Sequence, residues 1–379
     1  MKGLSFRKAV FILLSFFSLN SGFGQNLPLS EKARISVITC GLGNETYSYF
    51  GHTAIRVKDT LNNIDVVYNY GAFDFRTPNF VAKFAKGDLQ YFAVVHSYTD
   101  FIRDYTEEKR SVYEQELLID QDFKQKIFDN LNANLLTENR YYTYKFIDKN
   151  CTSMVVDIIN NSLNQEVITK KEDVDKTYRS ILFPYFDGHF YEKLGTSIIF
   201  GTKVDQLGTK IFLPFELKKS LEKSVFQNRL LAGKSNTILN FEKETPTSWW
   251  NNIYSYIILL ALIIFINKRF VDKIYLFILS VMGIFFVFMG FYSLHQELAM
   301  NYNILLFSPF LLILIILSAM NNKKGTYQLA VLHLILLITY TFFIINKAYF
   351  FIILPIIITS GVVLARIAIR NKKRIPIII

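Results

Sequence analysis

The last third of the chain, residues 251–379, consists mostly of Ile, Leu, Phe and Val, and this constrains the fold more than any other feature. It contains five long apolar stretches, at about residues 251–267, 274–293, 304–320, 327–346 and 349–369. Apolar segments of roughly 17–25 residues are typical of membrane-spanning helices. The pattern predicts an all-α bundle of five transmembrane helices over 251–379.

The linkers between these stretches indicate an orientation. One side carries ten basic residues: Lys268, Arg269, Lys273, Lys323, Lys324, Arg366, Arg370, Lys372, Lys373 and Arg374. The linkers on the other side, 294–303 and 346–348, contain only Lys347. Because basic linkers stay in the cytoplasm, the C-terminus is predicted to be cytoplasmic and residues 25–250 to lie outside it. Trp249 and Trp250 are predicted to anchor the first span at the headgroup zone.

The N-terminus gives the same topology independently. Basic residues within the first eight positions precede the apolar run 9–19, and Gly22 and Gly24 stand at −3 and −1 before Gln25. These are the parts of a secretory signal peptide, predicted over 1–24. An uncleaved anchor is the alternative, and it would export residues 25–250 equally. The chain is therefore predicted to be a multi-pass inner-membrane protein with a periplasmic domain.

The formal charge of +11 does not indicate a nucleic-acid partner. The signal peptide and the apolar third together hold 14 of the 42 basic residues but only Asp272 and Glu297 of the 31 acidic ones. Residues 25–250 therefore hold 28 basic and 29 acidic residues, a net charge of −1. The basic excess belongs to targeting and orientation, so no nucleic-acid partner is predicted.

The exported domain is predicted to be of α+β class. β-branched or alternating residues predict strands at 34–39, 52–58, 64–70, 89–96 and 112–119, with 52–70 as a hairpin turning at Asn62-Asn63. Helical spacing of apolar residues predicts helices at 121–136, 151–163 and 215–231.

Two residues stand where thiol chemistry would need them. Cys151 follows Asn150, a good N-cap, so it opens the predicted helix 151–163. A helix N-terminus favours a thiolate, and free amides there could serve an oxyanion. His52 begins a strand directly after Gly51, and a Cys–His pair is the minimum for a thiol nucleophile. The alternatives are an inert cysteine, a structural histidine, or a disulfide between Cys151 and Cys40.

A third side chain should orient the imidazole. Asn69 and Tyr68 lie on the strand predicted to pair with that of His52, and alternation lets only one of them face the site. The two-sided amide favours Asn69. Glu45 and Asp74 are weaker options.

Other histidines carry less signal. His295, at the outer end of the second span, could reach lipid phosphate or the site, or have no role. His333 lies inside a span, where helix packing is the simpler account. His96 and His189 show no partner pattern.

Short motifs resemble known families. His52-Thr-Ala-Ile-Arg-Val, Val66-Val67-Tyr68-Asn69 and Asn150-Cys151-Thr152 look like the permuted, acyltransferase-like branch of the NlpC-type papain-like fold. A broader resemblance is to the Lnb family, in which a periplasmic domain precedes a membrane region. It is carried by Thr39-Cys40-Gly41-Leu42-Gly43, residues 47–57, Tyr68-Asn69-Tyr70-Gly71, Phe73-Asp74-Phe75, Asn150-Cys151-Thr152, Leu294-His295-Gln296 and Asn301-Tyr302-Asn303.

The resemblance implies a Bacteroides-type lipoprotein N-acyltransferase. Cys151 would take an acyl chain from a phospholipid as a thioester, with His52 moving the proton. The N-terminal amine of a diacylglyceryl-cysteine lipoprotein would then receive the chain. Neither a metal nor a cofactor is implied. A cell-wall thiol peptidase or amidase, and a non-catalytic module that binds lipid or lipoprotein, remain the alternatives.

Overall fold

The computed structural model describes residues 27–242 and 245–372, so the predicted signal peptide, Lys373 and Arg374 lie outside the described residues. The first part is an α+β domain built on antiparallel strands. In chain order these are β1 (Arg34–Cys40), β2 (His52–Asp59), β3 (Ile64–Ala72), β4 (Gln90–Ser97), β5 (Val112–Glu116), β6 (Tyr141–Thr143), β7 (Val225–Phe226), β8 (Arg229–Leu230) and β9 (Asn236–Leu239). Seven of them form one sheet in the order β6-β4-β3-β2-β1-β5-β9, and β7 and β8 form a separate hairpin.

Helices cover both faces of this sheet. They are α1 (Phe80–Lys86), α2 (Tyr98–Glu107), α3 (Gln121–Leu136), α4 (Cys151–Leu163), α5 (Tyr178–Leu182), α6 (Phe190–Ile199) and α7 (Pro214–Leu221). The main core lies between α3, α4 and the sheet face that carries Ile55 and Val57. On the opposite face, Phe101 of α2 packs against Ala54 and Val67. The alternation along β2 therefore buries side chains on both sides of the sheet.

The predicted strands and the helices 121–136 and 151–163 are confirmed, with strand ends shifted by a few residues. The predicted helix 215–231 is wrong beyond Leu221, because the chain turns back on itself as the β7–β8 hairpin. The two turn residues, Gln227 and Asn228, have φ angles of 50° and 63°. A two-residue turn with positive φ at both positions matches the twist of a hairpin and cannot continue a helix.

The second part is helical, as predicted. It contains α8 (Ile253–Ile266), α9 (Arg269–Tyr292), α10 (Leu311–Ala319), α11 (Lys323–Ile344) and α12 (Phe350–Asn371). Within the described residues, α9, α11 and α12 are long and apolar enough to cross a membrane.

Two of the five predicted spans are shorter than expected. Helix α8 has 14 residues and α10 has nine, against roughly 20 needed to cross the hydrocarbon core. In the predicted span 304–320 the helix begins only at Leu311, after a 3₁₀ turn at Tyr302–Leu305. Pro309 explains the late start, because proline disfavours helical backbone at the residue before it.

The helices run between two chemically different ends. At one end, the buried Asp272 of α9 pairs with Arg370 at 2.7 Å and Arg366 at 3.5 Å, both near the end of α12. Arg370 also donates to Asn267 Oδ1, between α8 and α9, at 2.6 Å. At the other end, Lys347 lies 3.5 Å from Asp205 of the α+β domain. Much of the predicted basic side is thus gathered at the end of the bundle away from that domain.

A linker loop, residues 293–303 between α9 and α10, fastens the helical region to the α+β domain. Leu294 N donates to Lys86 O at 2.7 Å, and Ser293 Oγ donates to Ala85 O at 2.7 Å. Further along, Asn301 Nδ2 donates to Ile198 O at 2.9 Å. The two parts therefore share a hydrogen-bonded contact.

Candidate active site

Cys151 is the first residue of α4, as its sequence context predicts. The Asn150 side chain caps this helix, and its Oδ1 accepts from the amides of Thr152 at 2.9 Å and Ser153 at 3.1 Å. Its Nδ2 donates to the carbonyls of Phe146 and Phe212. The cap fixes the sulfur at the helix N-terminus. The sequence suggested that free amides at this helix end could bind a substrate oxyanion. Two of those amides instead donate to the Asn150 side chain.

His52 is the first residue of β2, and its imidazole lies close enough to Cys151 to lower the pKa of the thiol. Gly71 of β3 lies against both groups: a Cβ placed there would be 3.7 Å from Cys151 Cβ and 3.8 Å from His52 Cε1. Gly71 has a φ of 121°, which glycine adopts without strain. The structure therefore brings together two residues that are ninety-nine positions apart in the chain.

The environment of the thiol favours its ionised form. Burial raises the pKa of Cys151, but the charge and hydrogen bond of His52 lower it. The Thr53 amide and the Thr152 hydroxyl lower it further, and the net pKa lies below that of an ordinary cysteine. A thiolate is the nucleophilic form of cysteine. The group is thus prepared for attack on a carbonyl carbon.

Asn69 supplies the third member of the array. Its Oδ1 lies 3.2 Å from Nε2 of His52, which leaves Nδ1 as the ring nitrogen available to the thiol. Its Nδ2 lies 3.2 Å from Nδ1 of His96 on β4. A neutral His96 can accept a hydrogen bond from Nδ2, so the Asn69 oxygen is turned toward His52. His96 had no recognisable pattern in the sequence, because its contact depends on strand pairing across 27 residues.

The other options for the third member point elsewhere. The Tyr68 hydroxyl donates to Asn132 Oδ1 at 2.7 Å, on the α3 side of the sheet. Asp74 forms an exposed ion pair with Arg76 at 2.8 Å. Glu45 accepts a hydrogen bond from the Ser48 hydroxyl through its backbone carbonyl.

Cys40 does not disarm the nucleophile, because both cysteines are free thiols. Cys40 lies opposite His52 in the pairing of β1 with β2. Cys40 is the last residue of β1 and is fully buried. Burial raises the pKa of Cys40 to about 12. The pKa values of the two thiols are therefore shifted in opposite directions, and the alternative of a Cys40–Cys151 disulfide is not formed in this structure.

A cleft of about 370 Å³ opens in front of Cys151 and His52. Its walls are dominated by aromatic rings: Tyr47, Phe50, Phe73, Phe75, Phe80, Phe84, Tyr91, Tyr144, Phe146 and Phe212. Such a lining favours an apolar ligand. A larger and more polar cavity of about 520 Å³ lies near Lys109 and Lys219, but neither Cys151 nor His52 lines it.

His295 and His333 lie away from the thiol. His295 belongs to the linker loop, and its Nε2 donates to Phe84 O at 3.0 Å. Burial lowers the pKa of His295, so its neutral form is favoured. His333 contacts Ser308 Oγ and Leu329 O within the helical region, which is the packing role that the sequence favoured. His189 stacks against Tyr49, with ring centroids 4.2 Å apart.

Within residues 27–242 and 245–372, no group of three His, Cys, Asp or Glu side chains is arranged to hold a metal ion.

The comparisons with known proteins fall on the part of the chain that holds this site. Residues 29–183 match the family model described as the Lnb N-terminal periplasmic domain. The match includes His52, Asn69, His96 and Cys151, and it ends before the helical region. No curated protein and no solved structure gives a significant match. The match over residues 29–183 therefore confirms the resemblance to the Lnb family that the sequence indicates.

Proposed function

We propose that the protein is a membrane-bound lipoprotein N-acyltransferase. It moves an acyl chain from a phospholipid, through a thioester on Cys151, to the N-terminal amine of a diacylglyceryl-cysteine lipoprotein. The observation that carries this proposal is that the Cys151–His52–Asn69 array opens into an aromatic cleft. An apolar cleft suits an acyl chain better than a polar cell-wall peptide.

In the first half of the reaction, the Cys151 thiolate attacks the ester carbonyl carbon of the phospholipid. The carbon–oxygen ester bond breaks, and His52 gives its proton to the departing lysophospholipid oxygen. The acyl chain is left on the sulfur as a thioester. Asn69 holds the imidazole in the orientation that this transfer requires.

In the second half, the lipoprotein amine attacks the thioester carbon. His52 accepts a proton from the amine, the carbon–sulfur bond breaks, and the Cys151 thiolate is restored. The product is an N-acylated lipoprotein, or a rearranged lyso form. Both substrates are anchored in the same leaflet, so a membrane-held thiol needs to meet them only within a plane.

The topology belongs to the same proposal. The α+β domain lies in the periplasm and the Asp272 end of the bundle faces the cytoplasm, in an inner membrane. The shorter helices α8 and α10 also cross, because each joins an element at the domain end to one at the Asp272 end. Phosphatase fusions that are active only when exported should be active after residue 348 and inactive after residue 321. The domain itself is proposed to have the permuted papain-like fold.

Mass spectrometry of a lipoprotein N-terminus tests the function. A deletion strain should lose the N-acyl group, and the wild-type chain should restore it. Neither Cys151→Ala nor His52→Ala should restore it, although both chains should be present in the membrane. Full restoration by Cys151→Ala would favour a non-catalytic lipid-binding module. Altered muropeptides with unchanged lipoproteins would favour a cell-wall peptidase or amidase.

A further inference from the structure

We propose that an apolar lip formed by Phe75, Val81 and Phe84 inserts into the outer surface of the bilayer and opens the cleft directly to lipid. The partner that this surface fits is the acyl region of a phospholipid leaflet. Delivery of a phospholipid acyl chain through this opening rests on the proposed function. Insertion of the lip into the bilayer does not depend on catalysis.

The lip exposes apolar side chains that a water-facing surface would not favour. Val81 is 77 % exposed, Phe75 is 67 % exposed and Phe84 is 44 % exposed. Val81 and Phe84 lie on α1 and Phe75 lies in the turn before it, and Phe75 and Phe84 also line the cleft. A contiguous exposed apolar patch beside a cavity is typical of a contact with lipid or protein.

The lip is continuous with the floor of the cleft. The Phe75 ring lies 4.9 Å from that of Phe73 and 5.0 Å from that of Phe80. Phe73 in turn lies 5.1 Å from Tyr91, which lines the same cleft as Cys151. An acyl chain entering over Phe75 therefore meets aromatic rings all the way to the thiol.

The position of the lip relative to the apolar helices identifies its partner. Helix α9 ends at Tyr292, and the next three residues hold the C-terminal turn of α1. Ser293, Leu294 and His295 donate to the carbonyls of Ala85, Lys86 and Phe84, respectively, at 2.7, 2.7 and 3.0 Å. The lip is thus fixed where a membrane-crossing helix leaves the hydrocarbon core.

The charges on α1 fit the same location. The helix carries Lys83 and Lys86 and no acidic residue, and Lys86 pairs with Asp88 directly after the helix at 2.6 Å. A long basic side chain beside an apolar face, such as that of Lys83, can reach lipid phosphates while its stem stays among the acyl chains. Gly87 ends the helix with a φ of 76°, and a Cβ there would lie 3.0 Å from the His295 ring. The linker loop therefore approaches α1 as closely as the backbone allows.

A depth measurement tests insertion without any requirement for activity. The full chain, with Cys151→Ser, is reconstituted in phosphatidylethanolamine–phosphatidylglycerol vesicles with a nitroxide at Val81→Cys. Two reference chains carry the label at Leu61→Cys, which is 62 % exposed at the β2–β3 turn, and at Ile284→Cys on α9. The remaining thiol, Cys40, is buried and should stay unlabelled.

If the lip inserts, the label at 81 collides with oxygen more often than with a water-soluble nickel complex, as the label at 284 does. Collision behaviour like that of the label at 61 would overturn the proposal. The reference pair is needed because both 61 and 81 are exposed apolar positions on the same domain.

An activity measurement then tests delivery. Val81 does not line the cleft, so Val81→Asp should leave thiol-dependent cleavage of a short water-soluble ester unchanged. The same variant should slow acyl transfer from vesicle phospholipid about tenfold, because a carboxylate opposes insertion. If the wild-type chain and Val81→Asp transfer acyl chains from vesicle phospholipid at equal rates, delivery through the lip is refuted. A wild-type chain without transfer activity would instead refute the proposed function, and the depth measurement would still decide insertion.

Discussion

The hydroxyl of Thr53 lies 3.0 Å from the hydroxyl of Thr152, and both groups are buried. Each threonine is the chain neighbour of one half of the Cys–His pair, so this contact joins β2 to the start of α4. The hydrogen bond fixes the separation of His52 and Cys151 from behind.

Removing one of these hydroxyls should cost more than removing both. Thr53→Val or Thr152→Val alone leaves a buried hydroxyl without its partner and should lower the free energy of unfolding by about 1–3 kcal/mol. The double variant should be close to wild type, because two methyl groups then pack where the hydroxyls met. Denaturation in detergent of the wild type, the two single variants and the double variant measures the four free energies of unfolding. If the loss in the double variant equals the sum of the two single losses, the predicted role of the hydrogen bond is contradicted.

The lowered pKa of Cys151 predicts a pH profile for its alkylation by iodoacetamide. Wild-type alkylation should persist below the ordinary thiol range and fall as the pH drops through the lowered pKa. His52→Ala removes the cation and hydrogen bond that lower the pKa, leaving burial to raise it. The alkylation profile should then move to higher pH. For each pH unit that the profile moves, alkylation at neutral pH should be roughly tenfold slower. His189→Ala, whose ring packs against Tyr49, is the control and should keep the wild-type profile.

Two variants of Asn150 separate the effect of the helix cap on stability from the effect of a nearby charge on the pKa of Cys151. Asn150→Ala loses the Oδ1 that accepts from the Thr152 and Ser153 amides and should destabilise the chain by about 0.5–2 kcal/mol. Asn150→Asp keeps an acceptor for the Thr152 and Ser153 amides, loses the donor to the Phe146 and Phe212 carbonyls, and places a carboxylate near the thiol. It should raise the pKa of Cys151 and slow its alkylation at neutral pH, since like charge disfavours the thiolate. An unchanged alkylation profile in Asn150→Asp would argue against this electrostatic control.

The strand that carries Asn69 offers a matched pair of variants. Asn69→Ala should slow acyl transfer because the imidazole loses the group that orients it. Tyr68→Phe removes a hydroxyl on the opposite side of the same strand and should leave the rate near that of wild type. Rates of N-acylation on reconstituted lipoprotein measure both. Equal loss in the two variants would indicate general damage to β3 in place of a specific role for Asn69.

A buried ion pair supports the cleft wall. Glu216 pairs with Lys170, and both side chains are 3 % exposed. The Glu216 carboxylate also accepts from the amides of Phe212 and Leu213, which line the cleft. Glu216→Ala leaves a buried ammonium unpaired and should cost about 3–5 kcal/mol. Lys218→Ala, whose partner Glu222 is more exposed, is the control and should change stability by less than about 1 kcal/mol.

Local signals explain what the sequence could predict. The N-cap at Asn150 and the alternation of 52–58 depend on neighbouring residues, so the start of α4 and the position of β2 were both predictable. The amide of Asn69 also suggested its role. The meeting of Cys151 with His52 depended on the family resemblance, because no local rule joins positions ninety-nine apart.

Non-local contacts explain what the sequence could not predict. His96 became part of the array only through the pairing of β3 with β4. Helix α1 is only seven residues long, too short for a periodic pattern, and its place at the cleft depends on the linker loop. The turn at Gln227 and Asn228 reversed a segment whose apolar spacing alone favoured a continuous helix.

The linker loop fixes the position of the cleft relative to the end of α9. Because Ser293, Leu294 and His295 hold the cleft wall directly, no flexible tether separates the sulfur from the helix that ends at Tyr292. Under the proposed acyl transfer, this connection would set the height of the Cys151 sulfur above the leaflet. The phospholipid ester and the lipoprotein amine would then both have to reach that height.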